Sequence, residues 1–125
     1  MIFDTDVIIW ALRGNARAAA AMDDAEHLEI SVISYMELVQ GARDHKDLRM
    51  TRAFLADTGF HMLPLTEAIG HRAAVYLEEY ALKSRLGIPD ALIAATAAEN
   101  RLVLCSGNVK HYRAIADIEL RAFRP

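Results

Sequence analysis

The run Gly87-Ile88-Pro89-Asp90-Ala91-Leu92-Ile93-Ala94-Ala95-Thr96-Ala97-Ala98-Glu99-Asn100-Arg101-Leu102-Val103-Leu104-Cys105 decides the architecture of this chain. Gly-Ile-Pro is a break, and Asp90 opens a helix over 91–99 that is Ala/Leu/Ile almost throughout. Such a helix has almost no polar face and must be buried on most sides. Asn100 is placed as its left-handed cap. Residues 102–105 follow at once as an apolar strand without polar alternation, the pattern of a strand covered on both faces.

The same alternation continues outward in both directions. Thr66 caps the longest helical pattern, with Ile69, Ala73, Tyr76, Leu77 and Tyr80 three or four residues apart, ending near Gly87. Before it, 60–63 reads as a strand and about 46–57 as a helix stopped by Gly59. Residues 28–33 are rich in β-branched side chains and read as a strand. Ser34-Tyr35-Met36-Glu37 then has the form of a capping box, so a helix is predicted from Ser34 to near Gly41. At the N-terminus the short apolar pair Ile2-Phe3 ends at Asp4-Thr5-Asp6. Residues 7–13 form a helix stopped by Gly14, and Asn15 caps an Ala-rich helix through about Ala25. Residues 109–115 are a short helical stretch and 118–122 a last strand. About five apolar strands alternating with helices predict an α/β/α three-layer sandwich with a central parallel sheet.

The chain's 125 residues suit a single domain, 1–125, and no linker or repeat divides them. With 54% hydrophobic and 25% charged residues it has material for a core and is unlike a disordered chain. The longest uncharged helical stretch, 91–98, is far short of the roughly 20 residues a membrane span needs, and acids interrupt the N-terminus where a signal peptide would be apolar. One cysteine, Cys105, excludes an internal disulfide, and a cytoplasmic location is expected. Fourteen Lys and Arg against 17 Asp and Glu give a net charge of −3, so any phosphate contact must be local. Arg43, Lys46, Lys83, Arg85, Lys110 and Arg113 fall near element ends where they can reach a phosphate or serve as solvated surface charge.

In parallel α/β sheets ligands gather at the carboxyl ends of the strands. Asp4 and Asp6 follow the first strand, and Glu37 lies in the first helical turn after the second. Asp90 begins a helix that must start at this same edge if the strand after it is parallel, and Asn108 arrives there three residues past Cys105. Carboxylates brought together repel unless a cation neutralises them, and hard oxygen ligands point to Mg²⁺ or Mn²⁺. A water held by such an ion suits in-line attack on phosphorus. Each acid also has a capping explanation taken singly. Caps do not explain three acids from separate elements converging on one edge.

Four blocks carry a resemblance: Ile2-Phe3-Asp4-Thr5-Asp6-Val7-Ile8-Ile9, Ser31-Val32-Ile33-Ser34-Tyr35-Met36-Glu37-Leu38, Ile88-Pro89-Asp90-Ala91-Leu92-Ile93-Ala94-Ala95-Thr96-Ala97, and Leu102-Val103-Leu104-Cys105-Ser106-Gly107-Asn108-Val109-Lys110-His111-Tyr112. In this order and spacing the chain resembles PIN-domain ribonucleases, specifically VapC-type toxins of toxin–antitoxin pairs. The resemblance implies a parallel-sheet sandwich, Mg²⁺- or Mn²⁺-dependent endoribonuclease activity on tRNA or other structured RNA, and a cognate VapB-type antitoxin. It assigns the metal-binding acids to Asp4, Glu37 and Asp90 and matches Thr5 and Ser106 to its supporting hydroxyls. Asn108, standing where many PIN domains place a fourth carboxylate, joins the three acids in the expected catalytic set, and Asp6 is placed beside them as a helper. Gly107 stands where a basic residue is frequent. By the same likeness, apolar positions on the Ala-rich helix and the long helix after Thr66 are expected to support a homodimer.

Other readings weigh less. The five histidines lack HExxH or paired helical spacing and are read as surface or core residues. Cys105 is read as inert packing, and Phe3, Trp10 and Phe54 as core. A haloacid-dehalogenase-type phosphatase would explain Asp4-Thr5-Asp6 but needs an acidic pair after the fourth strand, where Ser106-Gly107-Asn108 supplies none. A receiver domain lacks an acceptor Asp after the third strand. A PIN-like module that only binds RNA or antitoxin is the non-enzymatic alternative, and the retained Asp4, Glu37 and Asp90 argue against it.

Overall fold

The computed structural model describes all 125 residues. Its elements are β1 (Ile2–Phe3), α1 (Thr5–Leu12), α2 (Ala16–Asp23), β2 (Glu29–Ser31), α3 (Val32–Gln40), α4 (His45–Thr58), β3 (His61–Leu63), α5 (Glu67–Ser84), α6 (Ile88–Glu99), β4 (Leu104–Ser106), α7 (Val109–Tyr112) and β5 (Leu120–Ala122). The five strands form one sheet in the order β3-β2-β1-β4-β5, and every pairing is parallel.

Strand pleating sorts the apolar side chains into two cores. Ile2, Leu63 and Leu104 point to one face, where α5, α6 and α7 cover them with Ile69, Tyr76, Ile93 and Tyr112, joined by Ile115 just past α7. Phe3, Ile30 and Cys105 point to the other, beneath Val7, Ile8, Met22, Leu38 and Leu55 of α1 to α4. The predicted three layers are therefore present. α6 is as sequence patterning requires: Ala91, Ile93, Ala94, Ala95 and Ala97 are all buried. Small side chains let α5 and α6 pack closely as a hairpin against the sheet. No helix is long and apolar enough to cross a membrane.

Several boundaries move, each for a local reason. The cap of α3 is Ser31, whose Oγ accepts from Ile33 N, so the predicted capping box at Ser34 does not form. Ser34 is instead buried inside the helix with its hydroxyl unpartnered. α6 starts at Ile88 with Gly87 as N-cap because Pro89 is at home in a first turn, where it has no N–H to lose. Asp90 consequently stands in the first turn and is not the cap. At the other end Asn100 has φ −96°, its side-chain amide donating to Thr96 O, and Arg101 takes the left-handed conformation at φ 54°. α1 begins at Thr5, two residues early, with Asp4 as N-cap. Gly59 is the left-handed stop of α4, at φ 82°, as its position indicates.

Candidate active site

β1 leads through β2 to β3 on one side of the sheet, while β4 and β5 lie on the other. The winding direction reverses between β1 and β4, and the crevice at such a switch point is where parallel sheets build their sites. The register aligns Phe3 with Cys105, so Asp4, just past the end of β1, comes beside Ser106, the last residue of β4. Asp4 N donates to Cys105 O at 2.9 Å and fixes that juxtaposition.

Asp4 is the centre of the site. It is 2% exposed, and one carboxylate oxygen accepts from its neighbour's amide, Thr5 N, at 2.8 Å. The other accepts from Ser106 Oγ at 2.7 Å and from Tyr112 OH at 3.0 Å. Burial pushes its pKa up to about 6, against the hydrogen bond from Ser106, with the charge of Asp6 adding to the rise. Asp6 accepts from Val7 N and from Gly107 N at 2.9 Å, and burial raises its pKa too.

The remaining acids are linked to this centre through hydroxyls. Tyr112 OH also reaches Asp90 Oδ1 at 3.2 Å, and His111 Nδ1 lies 2.9 Å from Asp90 Oδ2. Thr5 Oγ1 donates to Glu37 Oε1 at 2.7 Å. Asp4, Asp6, Glu37, Asp90, Thr5 and Ser106 are thus brought to one edge from β1, α1, α3, α6 and β4. Asn108 is exposed beside them, its backbone N–H donating to Ser106 Oγ at 2.9 Å.

No three His, Cys, Asp or Glu side chains meet around one point as ion ligands do. The acids instead form a hydroxyl-linked chain, Asp90 to Asp4 through Tyr112, with Glu37 held on Thr5. None of Asp4, Asp6 or Glu37 has a Lys or Arg partner, and His111 is the single basic group paired with Asp90. An oxygen donor set with this much uncompensated negative charge suits a hard divalent cation by its chemistry.

Gly107 explains its own departure from a basic residue. A Cβ there would sit 2.5 Å from Asp6 Oδ2 and 3.4 Å from Phe123 O, so the Asp6 carboxylate fills the space of a side chain. Among the cations, Lys110 lines a cleft of about 400 Å³ with Asn108, His111 and Arg124, next to the acids. Lys83 and Arg85 are exposed at the end of α5, in the turn leading to Asp90. Arg43 is exposed in the α3–α4 turn, and its contact is with Asp47. His111, read with the other histidines as a surface or core residue, and Tyr112, given no role of its own, are the site residues that sequence reasoning missed. Their signal is the short span from Ser106, which folds α7 back over the strand ends.

The PIN domain family matches residues 1–116 of the chain. Ribonuclease VapC10 of Mycobacterium tuberculosis is 35% identical over 116 residues, covering 90% of this chain and 85% of that protein. A toxin–antitoxin complex from Klebsiella pneumoniae has a chain 31% identical, with a TM-score of 0.80 over 94% of this chain and 93% of the other. VapBC-1 from nontypeable Haemophilus influenzae shares the fold at a TM-score of 0.82 and 24% identity, covering 98% of each chain. With the parallel sheet, the acid-bearing switch point and this similarity along nearly its whole length, the chain belongs to the PIN-domain family, among the VapC-type ribonucleases.

Proposed function

We propose that the chain is a divalent-metal-dependent endoribonuclease toxin acting in the cytoplasm on tRNA or another structured RNA, held inactive by a VapB-type antitoxin. The observation that carries this reading is the buried, uncompensated acid group at the switch point, on the scaffold of a ribonuclease 35% identical to it. Asp4, Glu37 and Asp90 would hold Mg²⁺ or Mn²⁺, which supplies an activated water and charge stabilisation at phosphorus.

The chain's own residues do the rest. Ser106 and Thr5 N fix the Asp4 carboxylate, and Thr5 Oγ1 fixes that of Glu37. Asp6, tethered on Gly107 N, adds negative charge beside Asp4. Asn108 offers an amide where a fourth acid is common and can orient a water. Lys110, with Lys83 and Arg85 at the neighbouring turn, lies where it can engage the RNA backbone on either side of the acids. Arg43 is a more distant phosphate contact.

The toxin–antitoxin complex from Klebsiella pneumoniae supports the antitoxin partner. For a homodimer the support is on α5, where Val75 and Leu82 are exposed, Leu82 completely. On α2 the larger apolar side chain, Met22, is buried and the exposed apolar positions are alanines.

Incubating the purified, antitoxin-free chain with total cellular RNA tests the reading. Discrete fragments are expected with Mg²⁺ or Mn²⁺ and none with EDTA. Cleavage that persists in EDTA removes the metal from the account. Intact RNA together with no rise in melting temperature on adding Mn²⁺ favours the binding-module alternative, because a cation bound by the native state must stabilise it.

A further inference from the structure

The Tyr112 side chain is fully buried, and its ring belongs to the core beneath α5 and α6. Ring packing alone would be met by phenylalanine, and a buried hydroxyl is costly unless it finds an acceptor. This one finds two. Asp4 Oδ2 at 3.0 Å and Asp90 Oδ1 at 3.2 Å share its single proton, although β1 and α6 deliver those acids separately. The other oxygen of Asp90 lies against His111, the preceding residue of α7, so consecutive side chains of one short helix hold the Asp90 carboxylate at both ends.

We infer that Tyr112 is a positioning residue for the acid pair, its hydroxyl tying Asp4 to Asp90 and setting the spacing at which both can meet a divalent cation. The inference rests on Asp4 and Asp90 being ligands of that cation. Each oxygen being within 3.2 Å of the phenol, the two carboxylates stay within about twice that distance of one another while the tie holds. Groups that orient metal ligands from behind govern affinity, and their loss weakens binding by about 10- to 100-fold.

A second tyrosine provides the control. Tyr76 is also buried and also donates to an aspartate, Asp117, at 2.6 Å, but at the opposite end of the molecule, where Arg72 joins Asp117 as well. Mn²⁺ binding by the wild type, Tyr112→Phe and Tyr76→Phe, read by calorimetry and by the paramagnetic signal of free Mn²⁺, separates positioning from loss of a buried hydrogen bond. Tyr112→Phe is expected to raise the Mn²⁺ dissociation constant at least about tenfold, with Tyr76→Phe matching the wild type. Wild-type affinity in Tyr112→Phe, or equal weakening in both variants, overturns the inference and leaves the cation reading standing. A wild type that binds no Mn²⁺ overturns both.

Discussion

Asp4→Asn is expected to abolish RNA cleavage and, in EDTA above pH 6, to leave the protein more stable than the wild type by about 3 kcal/mol. The two effects have one cause. The Asp4 carboxyl is almost fully buried without a cationic partner, and burial lifts its pKa from 3.8 to about 6. Between those values the native state keeps a proton that the unfolded chain has already lost. Stability therefore falls as pH rises from about 4 to about 6 and stays lowered above it. Asparagine carries no charge to bury. Its side-chain oxygen can still accept from Thr5 N, and its amide can donate to the hydroxyls of Ser106 or Tyr112. Urea denaturation in EDTA at pH 4 and pH 8 checks the sign: the gap between variant and wild type should widen with pH. A gap that shrinks would mean that the folded state stabilises the Asp4 charge.

Phe3→Ala is expected to cost about 3–5 kcal/mol and to lower the melting temperature by roughly 10–20 °C. Phe3 is fully buried in the core beneath α1 to α4, edge-on to Phe60 with ring centroids 5.9 Å apart. Stabilities of small domains total only about 5–15 kcal/mol, so this one truncation removes a large share. It also acts one residue from Asp4, in a strand of two residues whose central place in the sheet depends on packing from both faces. Differential scanning calorimetry gives the shift. A fall under about 1 kcal/mol would show that the site collapses around the cavity far better than buried aromatic positions ordinarily do.

The layers were legible because hydrophobic patterning speaks directly to burial. A helix at 91–97 that is apolar but for Thr96 and runs into an apolar strand calls for a covered parallel sheet, and Asp4 at the end of Ile2-Phe3 is conspicuous for the same reason. The acids' convergence followed from strand direction alone. Local signals were less decisive. Ser31 and Ser34 are both acceptable caps, and the choice fell to Ser31 because β2 needs only three residues to pair with β3. Asp90 resembles a cap until Pro89 is allowed into the first turn. Neither shift moves an acid away from the carboxyl edge.

Contacts made by a four-residue helix were not legible. Nothing in Val109-Lys110-His111-Tyr112 states that α7 turns two side chains back onto Asp90 and one of them onto Asp4. The role of Gly107 was equally hidden. Its lack of a side chain reads as loss of a basic group until the structure places the Asp6 carboxylate over it. Side-chain geometry across elements more than 80 residues apart in sequence is fixed by the assembled sheet, not by any local pattern.

On the proposed reading the acids at the β1–β4 crevice cut RNA with the help of a bound divalent ion. The most direct test is cleavage of total cellular RNA by wild type and Asp90→Asn, side by side at saturating Mn²⁺, with circular dichroism showing that both are folded. Asp90 is half-buried in the first turn of α6 and carries little of the core, so the substitution should leave the fold intact. A loss of about a hundred- to a thousandfold in cleavage rate is expected, the scale on which charge-stabilising groups act at a reacting centre. Cleavage near the wild-type rate by folded Asp90→Asn would contradict that reading.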